Sequence, residues 1–333
     1  MDEGAEGGRM QIFTKKDPRP SRISHEVTGL MWLADTSPTA AQVVPVLDSG
    51  STWLTEPRLH RVSPTASAAE EFGRALAHTH AAGAPHFGAP PPGHLGDGWM
   101  GEARLPLLHE GAPASWGEFY AQYRILPYID SPGFTPDQRT ALGMLCDRLA
   151  SGEFDHGQPK LLHEGALTKD GTGEKEVAPT RDKTGEKQDP LVGEKKGTLA
   201  GEKQHTLPED KSRDAEPTLP TPAPYRAQHA CGHMAARTHG DLWNGNVIWT
   251  PSGAVLIDPA AQGGHAEEDL AALAVFGFPM LERVLAAYDE ASALADGWRD
   301  RVGLHQLHIL TIHVHLFGAA YAPEVMNILR RFV

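Results

Sequence analysis

The first sixty residues alternate between strand-like and helical patterns of apolar and polar positions. "QIFTKK" reads as a short strand from Gln11 to Lys16, and "QVVPVLDSGSTWLTEPRL" reads as two strands joined by a Ser/Gly turn. The stretch between them predicts a helix, because its apolar residues recur at helical spacing: Ile23, Val27, Leu30, Met31 and Leu33. We therefore expect a small β-rich first domain over residues 1–59.

The pattern after Leu59 is mainly helical. Three amphipathic helices are predicted before a β-hairpin that contains Asp258, in "TASAAEEFGRALAHTHAAG", "SWGEFYAQYRILPYI" and "PDQRTALGMLCDRLASG". Three closing helices are predicted after it, in "EEDLAALAVFG", "PMLERVLAAYDEA" and "GLHQLHILTIHVHLFGAAY". Residues 60–333 are thus expected to form a larger helical domain, and the fold class is α+β.

Residues 165–224 interrupt this pattern with Gly, Lys, Glu and Pro. The stretch repeats the tripeptide GEK four times, starting at Gly173, Gly185, Gly193 and Gly201. Such a composition cannot bury enough apolar area to offset the entropy of the chain. We therefore predict a disordered insertion within the helical domain.

Composition and charge exclude several classes of protein. The chain has 333 residues with a formal net charge of -13, and its basic residues are scattered, which argues against nucleic-acid binding. It has no apolar stretch of about 18 residues and no signal-peptide pattern, so we expect a cytoplasmic protein without a membrane span. Cys146 and Cys231 lie far apart and are expected to be inert thiols. A monomer is the expected state.

A short polar stretch holds the strongest chemical signal. In "HGDLWNGNVIW", His239, Asp241 and Asn246 precede a predicted strand, and the return strand "AVLIDP" ends with Asp258. A hairpin of this length brings Asp258 back beside Asn246. Two carboxylates and an amide at one strand end suit phosphoryl transfer, in which one carboxylate accepts the hydroxyl proton and the other groups bind Mg²⁺. Capping of turns is the alternative for each residue singly.

The same stretch resembles a known family. "HGDLWNGN", "IDPA" and the following "GHAEEDLA" are similar to the fructosamine kinase (ketosamine 3-kinase) family, within the protein-kinase-like fold near the aminoglycoside phosphotransferases. The resemblance implies a bilobal fold, ATP and Mg²⁺ as cofactors, and a small ketosamine or glycated amine as substrate. It covers most of the chain outside the insertion.

The resemblance also implies residue roles. Asp241 would be the catalytic base, His239 would support the catalytic loop, and Asn246 and Asp258 would be the magnesium ligands. A further set would lie beside the sugar, namely Trp243, Asn244 and His265.

In the front domain, "IFTK" resembles the family's lysine strand. Lys15 would neutralise nucleotide phosphates and Glu26 would pair with it, with Lys16 as the alternative if the register shifts by one residue. "TWLTEPRL" resembles the hinge, so backbone groups from Glu56 to Arg58 would receive adenine.

Three further features affect the expectation. The aromatic residues of "WGEFYAQYRILPY" and the four histidines of the last predicted helix, among them His305 and His308, are expected to pack rather than to bind substrate or metal. Only fourteen residues precede Lys15, too few for the two strands and glycine loop that the family has there. Either the front lobe is truncated, the start of the chain is assigned too late, or the nucleotide phosphates are bound with an incomplete lid. Ala266 stands where many relatives have Arg.

The sequence thus predicts transfer of the γ-phosphoryl group of ATP to a ketosamine sugar hydroxyl, with a role in protein deglycation or repair. Two alternatives remain. One is another small-molecule kinase of the superfamily, of the aminoglycoside, choline or homoserine type. The other is a catalytically impaired relative that binds nucleotide.

Overall fold

The predicted strands and helices are present in the computed structural model, which describes residues 11–162 and 235–333. Within these ranges the α-helices are α1 (Pro20–Ala34), α2 (Ala66–Ala81), α3 (Trp116–Tyr120), α4 (Pro136–Ala150), α5 (Ala266–Val275), α6 (Leu281–Ala291), α7 (Trp298–Phe317) and α8 (Ala322–Leu329). The strands are β1 (Ile12–Lys16), β2 (Gln42–Val43), β3 (Asp48–Ser49), β4 (Trp53–Pro57), β5 (Gly98–Met100), β6 (Ala103–Leu105), β7 (Lys160–Leu161), β8 (Ala236–Thr238), β9 (Val247–Thr250), β10 (Gly253–Leu256), β11 (Gln262–Gly264) and β12 (Ser292–Ala293).

A small antiparallel sheet with one helix against it forms the front of the chain. Its strand order is β1, β4, β3, and Lys15 lies opposite Leu54 in the β1–β4 pair. Helix α1 packs on this sheet because its buried face carries Ile23 and Val27, which contact Leu54. Successive strand residues point to opposite faces, so Lys15 is partly buried while its neighbour Lys16 is exposed.

One strand of the predicted front unit pairs elsewhere. The turn between β3 and β4 follows the Ser/Gly signal, but β2 leaves this sheet and pairs in parallel with β10 of the hairpin. Pro45 lies two residues after the end of β2, and it has no N–H group with which to continue a ladder. The front of the chain is thereby joined to the strand that leads to Asp258.

The predicted hairpin is confirmed. Strands β9 and β10 are antiparallel with Val247 opposite Leu256, and both residues are buried in a core with Phe72 and Leu76 of α2. Because the turn lies at Ser252, residues before β9 and after β10 meet at the opposite end of the pair. The hairpin therefore positions Asn246 and Asp258 together.

The helical part of the fold departs from the pattern at two stretches, one of which is α8, a fourth closing helix that was not predicted. The helix predicted over "SWGEFYAQYRILPYI" is α only in α3, continues as a π-helix over Ala121–Ile125, and ends as a 3₁₀ turn over Leu126–Tyr128. Pro127 excludes a regular α-helix there, since it lacks the amide hydrogen and clashes with the preceding turn. The aromatic residues of this stretch, including Trp116 and Phe119, are buried in the large core as expected.

The remaining expectations concern a hairpin, membrane spans, the insertion, the two cysteines and the domain boundary. The β5–β6 hairpin was not predicted; its Trp99 amide donates to His25 Nδ1 of α1 at 3.1 Å. No helix within residues 11–162 and 235–333 has the length and apolar character that a bilayer crossing needs. The insertion predicted at 165–224, like Cys231, lies outside the described residues. Cys146 is a free, buried thiol, and the domain boundary at residue 59 stays a prediction.

Candidate active site

Lys15 lies between two carboxylates at the end of the front sheet. Its Nζ is 2.8 Å from Glu26 Oε2 on α1 and 3.2 Å from Asp258 Oδ1 after β10. Burial alone would lower the pKa of Lys15, but the two carboxylates outweigh it and hold the pKa above its ordinary value. The geometry selects Lys15 rather than Lys16, and the predicted partner Glu26 is present.

Asn246 joins the two aspartates of the hairpin. Its Nδ2 donates to the backbone oxygen of Asp241 at 2.8 Å, to Asp241 Oδ2 at 3.1 Å and to the backbone oxygen of Asp258 at 3.5 Å. Burial raises the pKa of Asp241 to about 7, against the opposing effect of the Asn246 hydrogen bond. A carboxylate with a pKa close to neutral can accept a proton from a substrate under working conditions.

The loop that precedes Asp241 is held by buried polar contacts. Asp269 of α5 accepts from the backbone N–H groups of His239 and Gly240, at 2.7 and 2.9 Å, and lies 3.1 Å from His80 Nε2. His239 Nε2 donates to the Ile257 carbonyl at 2.9 Å, so the ring ties the loop to the return strand. This supports the expected role of His239, and Asp269 is a positioning residue that sequence reasoning did not assign.

Two residues of the site, one before Asp241 and one after β10, have left-handed backbone conformations. Gly240 has φ of 80°, and a Cβ atom there would meet the Ala260 carbonyl oxygen at 2.1 Å. Asp258 has φ of 51°, a left-handed conformation that is uncommon for a residue with a side chain. Such strain persists where surrounding contacts fix it and is common at functional sites.

These groups line a cavity of about 220 Å³. Its lining residues are Lys15, Arg22, His25, Glu26, Trp99, Gly101, Asp241, Trp243, Asn246, Asp258, Pro259 and Ala260. A larger cavity of about 880 Å³ lies by α2 and α6, but its lining includes none of the predicted site residues. Convergent chemistry rather than size therefore identifies the candidate site, and we name Lys15, Glu26, Asp241, Asn246 and Asp258 the carboxylate site.

The donor set of the carboxylate site fits a hard divalent cation. Asn246 uses its amide nitrogen on Asp241, which leaves the amide oxygen as the group available to a cation. The carboxylate of Asp258 is 42% exposed and ends at the cavity. Oxygen donors of this kind are those that Mg²⁺ prefers, so the residues present suit the predicted ligand roles of Asn246 and Asp258.

The hinge residues are placed differently from the expectation. The amide of Arg58 donates to the Gln11 carbonyl at 2.8 Å, so this group is occupied by the neighbouring strand. Glu56 is buried, and burial, with the nearby Asp258 charge, raises its pKa to about 7. Its Oε1 has no hydrogen-bond partner among the described residues. An adenine contact by this stretch stays a prediction.

The predicted substrate residues separate into two groups. Trp243 is 37% exposed at the cavity, and Asn244 beside it is exposed as well. His265 is fully buried, does not line the cavity, and caps α5 through its Nδ1, which accepts from the Glu267 amide at 3.2 Å. The structure places His265 between β11 and α5 inside the core, away from the cavity, so substrate contact by His265 stays a prediction that this position does not favour.

Two cavity residues had no signal in the sequence. Trp99 comes from the unpredicted β5–β6 hairpin, and Arg22 projects from the first turn of α1. Each reaches the cavity only through packing against distant segments. Asp269, in contrast, lies within the quoted "GHAEEDLA" stretch, so its role was within reach of the motif.

Comparison with known proteins gives consistent matches. The fructosamine kinase family model matches residues 226–333. A "probable ketoamine kinase" of Enterococcus faecium is 39% identical over 95 residues, which is 28% of this chain and 34% of that protein. The "ketosamine-3-kinase" of Mus musculus is 37% identical over 97 residues, 29% of this chain and 31% of that protein. The matched segment thus spans about a third of the length of these curated relatives.

Two solved structures extend the match beyond that segment. A "putative fructosamine-3-kinase" from Haemophilus somnus superposes with a TM-score of 0.60 over 97% of this chain and 83% of its own, but at 16% identity it shows the fold alone. The "putative fructosamine-3-kinase" from Thermobifida fusca is 32% identical, with a TM-score of 0.65 over 97% of this chain and 85% of its own. Since this identity extends over most of both chains, the chain belongs to the fructosamine kinase family.

Proposed function

We propose that this chain transfers the γ-phosphoryl group of ATP to a sugar hydroxyl of a ketosamine, in the manner of a fructosamine or ribulosamine 3-kinase. The observation that supports this most is the convergence of Lys15, Asp241, Asn246 and Asp258 on one cavity. A cation, a carboxylate with a raised pKa and hard oxygen donors are the parts that phosphoryl transfer requires. Protein deglycation is the physiological role we infer from this acceptor class.

Asp241 acts as the base in the proposed reaction. The acceptor hydroxyl oxygen forms a bond to the γ-phosphorus, the bond from that phosphorus to the bridging oxygen breaks, and ADP leaves. The hydroxyl proton passes to the Asp241 carboxylate, which Asn246 orients through Nδ2. Most of the rate gain in such a transfer comes from positioning and charge stabilisation.

The phosphate end of the nucleotide is assigned to Lys15. Its ammonium group is held at the cavity by Glu26 and Asp258, so it can stabilise negative charge on phosphate oxygens without reorganising. Mg²⁺, when bound by Asn246 and Asp258, supplies further charge neutralisation on the phosphates. The adenine would lie toward the stretch from Glu56 to Arg58, and the front sheet and helical part would form the two lobes of a kinase-like fold.

The acceptor end is assigned to an aromatic surface beside Asp241. Trp243 contacts Phe276 edge-on with ring centroids 5.9 Å apart, and Phe276 lies 4.9 Å from the His313 ring. His313 in turn contacts Phe317, which is 63% exposed. Aromatic faces of this kind suit the apolar face of a sugar and the cationic amine of a ketosamine.

An acceptor panel tests the proposal. Purified full-length protein is incubated with Mg-ATP and fructosyl-lysine, ribulosyl-lysine, an aminoglycoside, choline or homoserine, and phosphorylated products are identified by ³¹P NMR. We expect product with the ketosamines, and a loss of about 10²- to 10⁴-fold in kcat for Asp241→Asn. Asp130→Asn is the matched control, because Asp130 is exposed and does not line the cavity.

Other results of the panel would favour one of the alternative functions or overturn the assigned base. Product only with choline, homoserine or an aminoglycoside would replace the ketosamine assignment with the rival kinase class. A thermal shift with Mg-ATP but no product with any acceptor would favour the nucleotide-binding relative. Wild-type turnover in Asp241→Asn would overturn the assigned base.

A further inference from the structure

A second cluster of chemical groups lies in the core, apart from the cavity. His156, after α4, meets Glu267 at the start of α5 and His305 on α7, and we name these residues with His265 the histidine cluster. His156 Nε2 is 3.1 Å from His305 Nε2, and each of these atoms is 3.3 Å from Glu267 Oε2. None of the four residues lines the cavity of the carboxylate site.

The hydrogen bonds around the cluster determine where its lone pairs point. His156 Nδ1 is 2.8 Å from the Phe154 carbonyl oxygen, so this nitrogen donates and Nε2 of the neutral ring is an acceptor. The carboxylate of Glu267 has acceptors only. A neutral His305 can place at most one proton among the three facing atoms. At least two acceptors therefore face each other at 3.3 Å with nothing positive between them.

The spacing of the three atoms matches the face of a coordination tetrahedron. Zinc binds histidine nitrogen and carboxylate oxygen at about 2.0–2.2 Å, which separates adjacent ligand atoms by about 3.3 Å. The observed separations of 3.1, 3.3 and 3.3 Å form a nearly equilateral triangle of that size. Two imidazoles and one carboxylate are also a donor set that zinc accepts in proteins.

We propose that His156 Nε2, His305 Nε2 and Glu267 Oε2 bind one Zn²⁺ ion, separate from the metal of the phosphoryl-transfer reaction. The fourth position is filled by water. His265 lies beside it, with its ring centroid 4.2 Å from that of His156. Since His265 Nδ1 accepts from the Glu267 amide, its proton is on Nε2, a buried atom with no partner among the described residues. The metal-bound water gives this N–H group an acceptor.

Groups around the triangle hold the ligands in place. Arg301 donates to Glu267 Oε1 at 2.8 Å and to Oε2 at 3.1 Å, which fixes the carboxylate while one lone pair of Oε2 faces the histidines. The Trp116 ring lies 4.5 Å from the His305 ring and excludes water from one side. The neighbouring Glu268 adds negative charge, and its Oε1 accepts from Trp116 Nε1 at 3.0 Å. Such outer contacts fix ring orientation at metal sites.

The site would connect three segments that are distant in the sequence. His156 follows α4, Glu267 begins α5 and His305 lies on α7, so one ion would fix the start of α5 against both neighbours. Asp269, two residues after Glu267, holds the catalytic loop through the His239 and Gly240 amides. The zinc is therefore a structural ion that positions α5, and it contacts no substrate.

The other histidines of α7 provide a contrast. His313 Nδ1 donates to the Ile309 carbonyl at 2.7 Å, and His315 Nδ1 lies 3.0 Å from Ser131 Oγ, so these residues pack as expected. His308 is 4% exposed and is not a member of the cluster. It is thus a buried histidine on the same helix, one turn from His305, and serves as the matched control.

Zinc binding by tag-free, full-length protein tests the proposal. The protein is stripped with chelator, titrated with Zn²⁺ against a competing dye, and its metal content is measured by mass spectrometry after gel filtration. We expect one equivalent per chain in the wild type and in His308→Gln. His305→Gln and His156→Gln should each weaken binding at least about 100-fold. Saturating zinc should raise Tm by about 5 °C in the wild type and in His308→Gln, and it should leave Tm unchanged in His305→Gln and His156→Gln.

Cobalt gives a readout that needs no variant. Co²⁺ in the stripped wild type should show the visible absorption of a buried ion with nitrogen and oxygen ligands, and Zn²⁺ should remove it. A wild type without stoichiometric zinc and without this cobalt spectrum would mean that the cluster shares only a proton, and the proposal would be overturned. Equal zinc affinity in wild type and His305→Gln would overturn it as well.

Discussion

The carboxylate site and the histidine cluster combine similar groups in opposite surroundings. Lys15 and Asp258 have side chains that are 22% and 42% exposed at a cavity, whereas His305 and Glu267 are 0% and 4% exposed. An open site allows a nucleotide to enter and leave, while a closed one suits a group that stays bound. Exposure to solvent, more than residue type, therefore distinguishes the proposed reacting site from the proposed structural one.

Helix α5 connects the carboxylate site and the histidine cluster. Glu267 and Asp269 both lie in the first turn of α5. Glu267 belongs to the histidine cluster, whereas Asp269 accepts hydrogen bonds from the loop that precedes Asp241. Burial alone would raise the pKa of Asp269, but hydrogen bonds from His80 and from the His239 amide hold the pKa below its ordinary value. The same turn thus contributes to the histidine cluster on one side and holds the loop of Asp241, the proposed base, on the other.

The largest effect that separates the two sites is expected from Lys15→Met. Removal of a charge-stabilising group at the phosphates should lower kcat/KM for ATP by about 10²- to 10³-fold, measured by ADP release. Zinc stoichiometry should not change. Lys16→Met is the control, since Lys16 is exposed on the other face of β1. Equal losses in both variants would contradict the assignment of Lys15.

A somewhat smaller effect is expected from Asp269→Asn, which tests the link between the sites. The new amide nitrogen would face N–H donors of the catalytic loop, so a buried contact is lost and the free energy of unfolding should fall by about 3 kcal/mol. Urea unfolding measures it. Asp300→Asn at the exposed start of α7 should change stability by less than about 0.5 kcal/mol. An unchanged stability in Asp269→Asn would show that Asp269 does not hold the loop.

The smallest effect concerns the acceptor side of the carboxylate site. Trp243→Ala should raise KM for the ketosamine about fivefold to tenfold through loss of aromatic contact, with KM for ATP unchanged. Steady-state kinetics with each substrate varied in turn measures both values. A rise in KM for ATP instead would place the nucleotide, rather than the sugar, against Trp243.

Much of the carboxylate site could be predicted because its parts are close in sequence or in simple spacing. The hairpin returns Asp258 to Asn246 over twelve residues, and Glu26 follows Lys15 by eleven residues. The sequence left open whether Lys15 or Lys16 faces the site, because a strand pattern alone does not fix the register.

The rest depended on contacts between distant segments. The parallel pairing of β2 with β10 and the approach of Trp99 to the cavity arise from packing that leaves no local pattern. His156 and His305 are 149 residues apart, so spacing on α7 could not suggest their meeting. The burial of His265 could not be predicted, because a motif shows that a residue belongs near a site but not whether its side chain is buried.

The pH dependence of a single turnover tests the central claim most directly. Burial raises the pKa of Asp241 to about 7, and only its ionised form can accept the hydroxyl proton. Transfer of γ-phosphoryl from ATP to fructosyl-lysine should therefore rise about tenfold per pH unit below pH 7 and level off above it. In Asp241→Asn the rate should be low and without this rise. A wild-type rate that is flat from pH 5 to 8, or the same rise in Asp241→Asn, would contradict the account.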